Sequence, residues 1–513
     1  MATPSVLAID QGTTGSTCMV IGNDGRVLGR AYSEFTQHFP RSGWVEHDAS
    51  EIWDVTRRLA RAALDDANGP DGADVRAVGI TNQRETVVLW DRQTLEPVHR
   101  AIVWQDRRTA PLCRELREAG HEPELRERTG LRLDPYFSGT KITWLLEHDR
   151  ELRQRAERGE LAVGTIDSWL IAKLTDGASH VTDPTNASRT LLWNIRDACW
   201  DPWCLDLFGV PEALLPRVEP SAGAFGTTSG AHLGIEVPIA GVAGDQQAAL
   251  YGQGCCAPGL AKNTYGTGSF LLLHTGSEPV PSRHGLLTTA ACDEYGGLAY
   301  ALEGSVFVAG AALQWIRDGL GLLASASESA DMAAAVPDNG GVYFVPAFVG
   351  LGAPHWEPDA RGTIFGLSRG TKREHLVRAA LESMAYSTAE ILTAMEADSG
   401  VVATEMRVDG GASLNDWLMQ FQADTVGIPV RRPAMVETTA LGAAGLAGVA
   451  TGLWASAEEF VTAQEEPTIF QAADVPDRRA DAMASWGRAV GAAVAWARDV
   501  GDLPDFSADT ESG

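Results

Sequence analysis

The chain has 513 residues, of which 44% are hydrophobic and 21% charged, and its formal net charge is -27. This composition excludes a disordered or fibrous chain, and the length exceeds one ordinary hydrophobic core, which favours two domains. The acidic excess argues against binding to nucleic acid or to an anionic membrane, because those partners require clustered Lys and Arg.

Cysteine usage and the N-terminal segment bear on the cellular compartment. The seven cysteines show no C-x-x-C spacing, so the sequence predicts neither a disulfide framework nor a zinc site. Met1 is followed closely by the apolar run 6–9 without a basic segment, and we expect no signal peptide and a cytoplasmic protein. The longest apolar stretches, 306–313 and 440–454, are shorter than a membrane span and predict closely packed buried helices, with no membrane insertion.

The first chemistry-bearing segment is DQGTTG, residues 10–15, which follows the apolar run 6–9. Backbone N–H groups and threonine hydroxyls in a tight glycine turn can converge on an anion. A plain hairpin in which Asp10 forms an Asx-turn explains this segment equally well when it is taken alone. A second hairpin is predicted at Asn23-Asp24-Gly25, which lies between two further apolar runs.

Two later segments carry polar groups suited to a small polyol. GITNQRET, residues 79–86, places Arg84 beside Glu85 after a predicted strand, where they can donate to and accept from hydroxyl groups. A surface ion pair is the plain alternative. GDQQAAL, residues 244–250, places Asp245 at a predicted helix start, where an N-cap is the alternative explanation.

The design of the N-terminal segment recurs near residue 260. Residues 260–264 lead into Gly266-Thr267-Gly268, and a second β-like run follows at 270–273. Two such loops suggest an internal duplication that places one loop from each half around a polyphosphate. A third segment, VDGGAS at 408–413, predicts a strand end and a glycine turn that opens an amphipathic helix at Leu414, suited to contact a nucleotide. A plain glycine-rich turn is the alternative.

The overall pattern predicts an α/β chain of two related domains with a cleft between them, because strands alternate with helices in both halves. The strongest helical periodicity runs from Leu381 to Met395. We assign residues 1–253 to an N-terminal domain with the first phosphate loop and the polyol segments, and 254–498 to a nucleotide-binding C-terminal domain. Residues 499–513 are acidic and polar and are predicted to form a disordered tail.

The two loops and the third turn, in this order, resemble the ATPase fold shared by actin, sugar kinases and Hsp70 chaperones, which consists of two duplicated ribonuclease-H-like domains. The polyol segments, with AIVWQ at 101–105, DPYFSGTK at 134–141 and a longer signature within 362–382, further resemble the glycerol kinases of the FGGY carbohydrate kinase family. The similarity covers roughly residues 6–496. The 362–382 signature also fits xylulose and gluconate kinases, whereas the GITNQRE run is more discriminating for glycerol.

The resemblance implies an ATP- and Mg²⁺-dependent transfer of phosphate to glycerol, giving sn-glycerol 3-phosphate in glycerol catabolism, by a cytoplasmic homodimer or homotetramer. Two alternatives stay open. One is a kinase for another polyol or a ketose of the same family, and the other is an actin-like or Hsp70-like ATP-driven binding protein.

The resemblance also implies a role for individual residues. Those expected to bind glycerol are Arg84, Glu85, Trp104, Tyr136, Asp245, Gln246 and Phe270. Those expected to act in catalysis are Asp245 as general base, Asp10 and Thr267, and Asp10 and Asp245 are also expected at the metal. Those expected to bind the nucleotide are Thr13, Thr14, Gly266, Thr267, Gly310, Gln314, Gly411, Ala412 and Asn415.

The sequence departs from the family pattern near the phosphates and in a regulatory segment. Thr17 stands where relatives usually carry Arg, which predicts a weaker nucleotide grip. Residues 229–236 contain neither Lys nor Arg, which argues against the fructose 1,6-bisphosphate control of some relatives. His232 lies near the histidine that is phosphorylated in others, but its surroundings favour a plain surface histidine.

Overall fold

The computed structural model describes residues 2–68, 72–473 and 476–499. The strands in these residues are β1 Thr3–Gln11, β2 Gly15–Gly22, β3 Val27–Glu34, β4 Gln37–His38, β5 Glu46–His47, β6 Ala73–Asn82, β7 Val88–Asp91, β8 Ala101–Ile102, β9 Leu161–Gly164, β10 Val181–Thr182, β11 Trp193–Asn194, β12 Cys199–Trp200, β13 Arg217–Val218, β14 Ala222–Thr227, β15 Pro238–Gly244, β16 Leu260–Tyr265, β17 Ser269–Gly276, β18 Leu287–Cys292, β19 Leu298–Val306, β20 Tyr343–Val345, β21 Thr363–Phe365, β22 Glu405–Asp409, β23 Val430–Arg432 and β24 Thr468–Phe470.

The α-helices in the same residues are α1 Ala49–Asp66, α2 Ala110–Glu118, α3 Glu122–Thr129, α4 Ser138–His148, α5 Arg150–Glu157, α6 Ile166–Leu174, α7 Pro184–Ala187, α8 Pro202–Phe208, α9 Gly230–Leu233, α10 Asp245–Gly252, α11 Gly310–Asp318, α12 Ser329–Ala334, α13 Arg373–Ser399, α14 Asp416–Val426, α15 Thr438–Ala450, α16 Ala457–Thr462 and α17 Pro476–Asp499. Among them, no helix combines the length and the apolar character that a membrane span requires.

Two large sheets repeat one topology, which confirms the predicted duplication. The first sheet has the order β3-β2-β1-β6-β15-β14, and the second has β19-β17-β16-β22-β23-β24 with β18 added beside β19. In each sheet the first three strands form an antiparallel meander, and two parallel strands follow on its other side. The spatial order and the strand directions are therefore the same in both sheets, although the edge strand β14 precedes β15 in the chain, whereas β24 follows β23.

The two predicted phosphate loops occupy equivalent positions in this topology. Residues 12–14 connect β1 to β2, and residues 266–268 connect β16 to β17. The loops stand at the end of the first strand of each sheet because the same hairpin opens both halves.

Helix α15 joins the two halves. It packs against α10 and against β1, β6 and β15 of the first sheet, although it lies late in the chain. Its sequence, TTALGAAGLAGVA, is rich in Gly and Ala, so its backbone approaches its neighbours closely. The domain boundaries proposed from the sequence stay a prediction.

The helical predictions are mostly confirmed. Every periodic position noted between Leu381 and Met395 is buried in α13, and residues 440–450 form most of the buried α15. Residues 306–313 are an exception, because Val306 ends β19, Phe307 is 41% exposed and helix α11 begins only at Gly310. The end of β19 and the bend before Gly310 divide that apolar run, so the prediction of one buried helix is wrong.

Two boundaries differ from the sequence predictions. Leu414 does not open an α-helix; it ends a short 3-10 turn, is 64% exposed, and α14 begins at Asp416 after the Asn415 cap. The cap side chain, and not the first apolar residue, sets the helix start. Asp499 ends α17, and the rest of the predicted tail lies outside the described residues.

Candidate active site

Arg84 and Glu85 lie in the interior, immediately after β6. Their side chains are each 2% exposed, which excludes the alternative of a surface ion pair. Glu85 has a φ of 59°, a left-handed conformation that non-glycine residues adopt at a cost in energy. The turn after β6 therefore points two opposite charges inward.

Arg84 is held by a carboxylate from the other half of the chain. Its Nη1 and Nη2 donate to the two carboxylate oxygens of Glu303 at 2.5 and 3.0 Å. Its Nε lies 3.3 Å from Oδ1 of Asp245, and its Nη2 also donates to the Tyr136 hydroxyl at 3.3 Å. The guanidinium thus brings together three of the predicted glycerol-binding residues, Arg84, Asp245 and Tyr136.

Glu303 and Arg189 are site residues that the sequence reasoning missed. Arg189 donates from Nε to Glu85 at 2.6 Å and from Nη2 to Glu303 at 3.0 Å. Burial by itself raises the pKa of Glu303, but the adjacent Arg189 and Arg84 outweigh burial and lower that pKa to about 2. The signal in the sequence was a lone glutamate in the otherwise uncharged strand LAYALEGSV.

Asp245 occupies the first turn of α10, directly after β15. The helix is preceded by Gly244 as its N-cap residue, so the alternative of Asp245 as N-cap does not hold. The Asp245 side chain is 30% exposed and accepts a hydrogen bond from the Gln246 amide at 2.7 Å. Its enclosure in the cleft raises the pKa of Asp245, against the opposing effect of Arg84.

Gln246 faces the second sheet instead of the Arg84 guanidinium. Its Oε1 accepts from the Lys262 ammonium at 2.7 Å, whereas the neighbouring Gln247 accepts from Arg84 at 3.2 Å. Lys262 is fully buried in β16, and burial lowers its pKa. Lys262 is a third residue that the sequence reasoning did not single out as part of the site.

Three aromatic residues border the polar cluster. Trp104 packs edge-on against Tyr136 with ring centroids 5.6 Å apart, and its Nε1 donates to the Thr13 hydroxyl at 2.9 Å. Phe270 is partly buried on β17 and lies on the same sheet face as Glu303, because Leu272, two residues further on, is paired with Glu303. Trp104 therefore links the polyol segments to the first phosphate loop.

The turn that carries Tyr136 is held by Lys141. The Lys141 ammonium, buried in α4, donates to the carbonyls of Pro135, Tyr136 and Phe137 at 2.6, 2.7 and 3.1 Å. Burial lowers the pKa of Lys141 to about 8. Three carbonyls satisfy all three ammonium donors, so this lysine has a structural partner for every proton.

The first phosphate loop is a tight turn with exposed donors. The Gly12 amide donates to the Gly15 carbonyl at 2.9 Å, and the Gln37 side chain donates to the Thr13 carbonyl at 3.0 Å. Thr14 is exposed at the tip, whereas Thr17 lies on β2 opposite Asp10. Thr13 is thus held by Trp104 and Gln37, whereas the Thr14 side chain is exposed.

The second phosphate loop is fastened to the start of α11. The Ala309 amide donates to the Thr267 carbonyl at 2.8 Å, and the Gly310 amide donates to the Gly266 carbonyl at 3.0 Å. A Cβ at Gly310 would lie 2.6 Å from that carbonyl, so the close approach requires glycine. Among the described residues no hydrogen bond joins this loop to the first one.

The third turn abuts the second loop. A Cβ at Gly410 would overlap the Tyr265 carbonyl, which places the turn beside the strand that leads into the loop. Gly411 has open space around it, and Asn415 caps α14 by accepting from the Leu418 amide at 2.9 Å. Ala412 lies in the 3-10 turn between them, and Gln314 is exposed on α11. None of these residues touches the Arg84 cluster within the described part of the chain.

Asp10 lies at the end of β1, close enough to Asp245 for the two charges to interact. Its Oδ2 accepts from the Thr439 hydroxyl of α15 at 2.6 Å. Burial raises the pKa of Asp10 to about 6, the Thr439 hydrogen bond opposes this shift, and the charge of Asp245 adds to it. Within the described ranges no group of three or more Asp, Glu, His or Cys side chains is placed to hold a metal ion.

His232 is tied into the surface of the first domain. Its Nε2 contacts Asp176 at 2.6 Å, its ring packs edge-on against Trp53, and Arg61 donates to its carbonyl. The histidine is thus held in place by neighbours from three other segments.

Family models match almost the whole chain. The model for the N-terminal domain of the FGGY family of carbohydrate kinases matches residues 5–252, and the model for the C-terminal domain matches residues 261–451. The chain is 57% identical to a glycerol kinase of Dechloromonas aromatica over 96% of its own length and 98% of the relative's. It is 52% identical to glycerol kinase 2 of Thermotoga maritima, with 96% and 99% covered.

Solved structures give the same picture. The structure of Plasmodium falciparum glycerol kinase with ADP superposes with a TM-score of 0.92 at 34% identity, covering 96% of this chain and 98% of that one. A gluconate kinase from Lactobacillus acidophilus superposes with a TM-score of 0.87 at 20% identity, covering 97% and 100%. The second similarity concerns the fold alone.

Proposed function

Since this chain belongs to the FGGY family of carbohydrate kinases, we propose that it transfers the γ-phosphoryl group of ATP to a terminal hydroxyl of glycerol, giving sn-glycerol 3-phosphate. The proposal rests on one observation: the side chains of Arg84, Glu85, Tyr136 and Asp245 lie together beside the Trp104 ring. Several relatives named glycerol kinase, more than 50% identical over nearly the full length, support the same reaction.

Glycerol suits this cluster because three hydroxyls on three carbons give the molecule one polar edge and one C–H edge. Arg84 donates and Glu85 and Asp245 accept, whereas Trp104 and Phe270 present ring surfaces to the carbons. Gln246 and the Tyr136 hydroxyl supply further polar contacts. A site that pairs each substrate hydroxyl rejects analogues that leave its buried polar groups unpaired.

Asp245 is proposed as the general base. Its carboxylate is partly exposed to the cleft, and its raised pKa keeps it basic enough to take the proton of the attacking hydroxyl. Its Oδ1 accepts from the Gln246 amide at 2.7 Å and lies 3.3 Å from Arg84 Nε, whereas Oδ2 accepts no hydrogen bond from the described residues and is left for the substrate.

ATP is proposed to lie between the two phosphate loops. The amides of Thr13, Thr14 and Gly266, and Thr267 with its hydroxyl, are placed to donate to phosphate oxygens as charge shifts during transfer. Gly310, Gln314, Gly411, Ala412 and Asn415 form the proposed nucleotide-binding surface of the second half. Their glycines leave the backbone open to close approach.

Mg²⁺ is proposed as the metal ion. Asp10 and Asp245 fit it, because Mg²⁺ is usually held by one or two carboxylates together with substrate phosphates and water. The negative charge of Asp245 raises the pKa of Asp10, a repulsion that a bound cation would relieve. When bound, Mg²⁺ neutralises part of the phosphate charge.

The cellular setting follows the family. We propose a cytoplasmic location, a role in glycerol catabolism, and assembly as a homodimer or homotetramer, as the resemblance implies. Sedimentation velocity at several protein concentrations measures the assembly state directly.

A panel of acceptors tests the reaction. ADP release is measured with glycerol, dihydroxyacetone, xylulose and gluconate in turn, beside a blank without acceptor. The proposal expects release with glycerol well above the blank. Activity confined to xylulose or gluconate would identify another sugar kinase, and release independent of the acceptor would identify an ATP-driven binding protein.

Asp245→Asn tests the base. The amide keeps the size of the side chain but cannot accept the hydroxyl proton, so kcat is expected to fall by about 100-fold or more while glycerol still binds. Calorimetric titration with glycerol measures the binding. Asp54→Asn, on the exposed face of α1, is the control, and an Asp245→Asn enzyme that keeps a tenth of the rate would remove Asp245 as the base.

A further inference from the structure

Four buried side chains form a charge-balanced cluster that spans the two halves of the chain, called here the arginine cluster: Arg84, Arg189, Glu85 and Glu303. Each of the four side chains is at most 2% exposed. Three members come from the first half, and Glu303 alone comes from the second. Two cations and two anions cancel, which is the condition under which buried charges persist.

Glu303 determines which edge of the Arg84 guanidinium faces the reaction. Its two oxygens engage Nη1 and Nη2 at 2.5 and 3.0 Å, a fork-to-fork pair that fixes the plane of the group. This leaves Nε toward Asp245 at 3.3 Å and toward Glu85 at 3.7 Å. Nε donates no hydrogen bond to either of these two carboxylates.

The charge count shows what the loss of Glu303 would do. Without its carboxylate the cluster would hold two cations and one anion, and the nearest remaining carboxylate to Arg84 outside the cluster is Asp245. A guanidinium freed from Glu303 would take Asp245 as its bidentate partner, because such pairs are the strongest that arginine makes. Both oxygens of Asp245 would then be engaged by the guanidinium, and Oδ2 would no longer be open to the acceptor hydroxyl.

We propose that Glu303 is a positioning residue for phosphoryl transfer: it occupies the fork of Arg84, so that Arg84 reaches Asp245 only through Nε at Oδ1 and Asp245 Oδ2 stays open to the acceptor hydroxyl. This inference rests on the proposed function. Glu303 lies outside the sequence motifs and is not among the residues proposed to contact glycerol. Its role in the chemical step is to hold Arg84.

The first test is Glu303→Gln, which keeps the shape of the side chain but removes its charge and replaces one of the two acceptor oxygens facing Arg84 by an NH2 donor. The proposal expects kcat for glycerol phosphorylation to fall about 100-fold, the range lost when a general base is silenced, while KM for ATP stays within about twofold. Glu382→Gln is the matched control, because Glu382 is 2% exposed, lies in α13 of the same half and pairs with Arg378 at 2.7 Å. The control should keep kcat within about threefold.

Glu303→Asp is the second variant. It keeps the charge on a shorter side chain, so its kcat should be at least about tenfold higher than that of Glu303→Gln. If Glu303→Gln does not fold, as judged by thermal unfolding, Glu303→Asp is compared with wild type, and a fall in kcat with unchanged KM for ATP supports the proposal.

Two results would overturn the inference. One is a folded Glu303→Gln enzyme with wild-type kcat. The other is an equal rise in KM for glycerol and in KM for ATP, which a purely structural role would give. Wild-type phosphorylation of glycerol is measured first in the same assay, so failure of the proposed function is seen there, and failure of the inference is seen only in the variants.

Discussion

Lys141 shows how one buried charge places a substrate contact. Among the described residues its ammonium forms no hydrogen bond or ion pair with the arginine cluster, yet it binds three successive carbonyls of the turn that carries Tyr136. An ammonium taken out of water requires such a set of acceptors. The cation therefore fixes the backbone from which the Tyr136 hydroxyl reaches Arg84.

Lys141→Met tests this clamp. The variant keeps most of the side-chain volume but leaves three carbonyls without their donor, at a cost of about 1–3 kcal/mol for each one that stays buried and unpaired. The turn is expected to shift, and KM for glycerol to rise about tenfold while KM for ATP is unchanged, as measured by initial rates.

Lys173→Met is the control for Lys141→Met, because Lys173 is half-buried in α6 and donates to the Leu95 carbonyl at 3.2 Å, away from the site. It should leave both KM values unchanged. A rise in both KM values of Lys141→Met, or in neither, would contradict the clamp.

At the same scale, local motifs identify some site residues and not others. Arg84 and Glu85 stand out because they are adjacent after a strand, and Asp245 stands out because it opens a helix. Glu303 carries no such pattern, since its partners lie 114 and 219 residues away along the chain. Only the fold brings those residues together.

Helix α15 packs closely against the first sheet and against α10. Cβ atoms at Gly79, Gly241 and Gly442 would overlap backbone atoms of the facing element, on α15 in the first two cases and on α10 in the third. Glycine is required at these contacts because two backbones approach each other without room for a side chain. Since α10 begins at Asp245, the position of α15 also determines where the proposed base lies.

Gly442→Ala tests this packing. Its methyl group would overlap the Ala248 carbonyl of α10, and relief requires the helices to separate. Overpacking of this kind costs about 1–3 kcal/mol, so the apparent unfolding temperature should fall, and kcat should fall with it because Asp245 moves. Differential scanning fluorimetry and initial rates measure the two effects.

The control for Gly442→Ala is Gly487→Ala in α17, where a Cβ meets nothing within 4 Å. Alanine is favoured over glycine in a helix by about 1 kcal/mol, so this variant should be slightly more stable and equally active. A Gly442→Ala enzyme as stable and active as wild type would show that the two helices do not need their close approach.

For the whole molecule, the charge balance predicts a response to salt. The 68 acidic residues exceed the 41 basic ones, and this excess repels itself in the compact state. Surface ion pairs are weakened by salt, but each is worth only about 0–1 kcal/mol, so the net repulsion should dominate.

The apparent unfolding temperature is therefore expected to rise as the screening length shrinks from about 30 Å at 0.01 M salt to about 3 Å at 1 M. Thermal scans in NaCl and in KCl at matched ionic strength measure the effect and separate screening from the binding of one cation. An unfolding temperature that falls with salt in both series would show that attractive ion pairs outweigh the repulsion.

The sequence by itself determined the duplicated α/β organisation, the equivalent places of the two glycine loops and the adjacent Arg84-Glu85 pair. These features depend on short-range signals: apolar periodicity, glycine turns and residues next to one another in the chain. The roles assigned to the site residues stay predictions that the experiments above address.

The tertiary structure alone decided three other features: the pairing of Arg84 with Glu303, the seating of α15 on the first sheet, and the three carbonyls around Lys141. The first two join segments far apart in the chain, and the third depends on the path of a single turn. No local pattern encodes such contacts, because they arise only when burial forces distant charges and backbones to satisfy one another. The open state of Asp245, on which the proposed chemistry depends, is a product of that mutual arrangement.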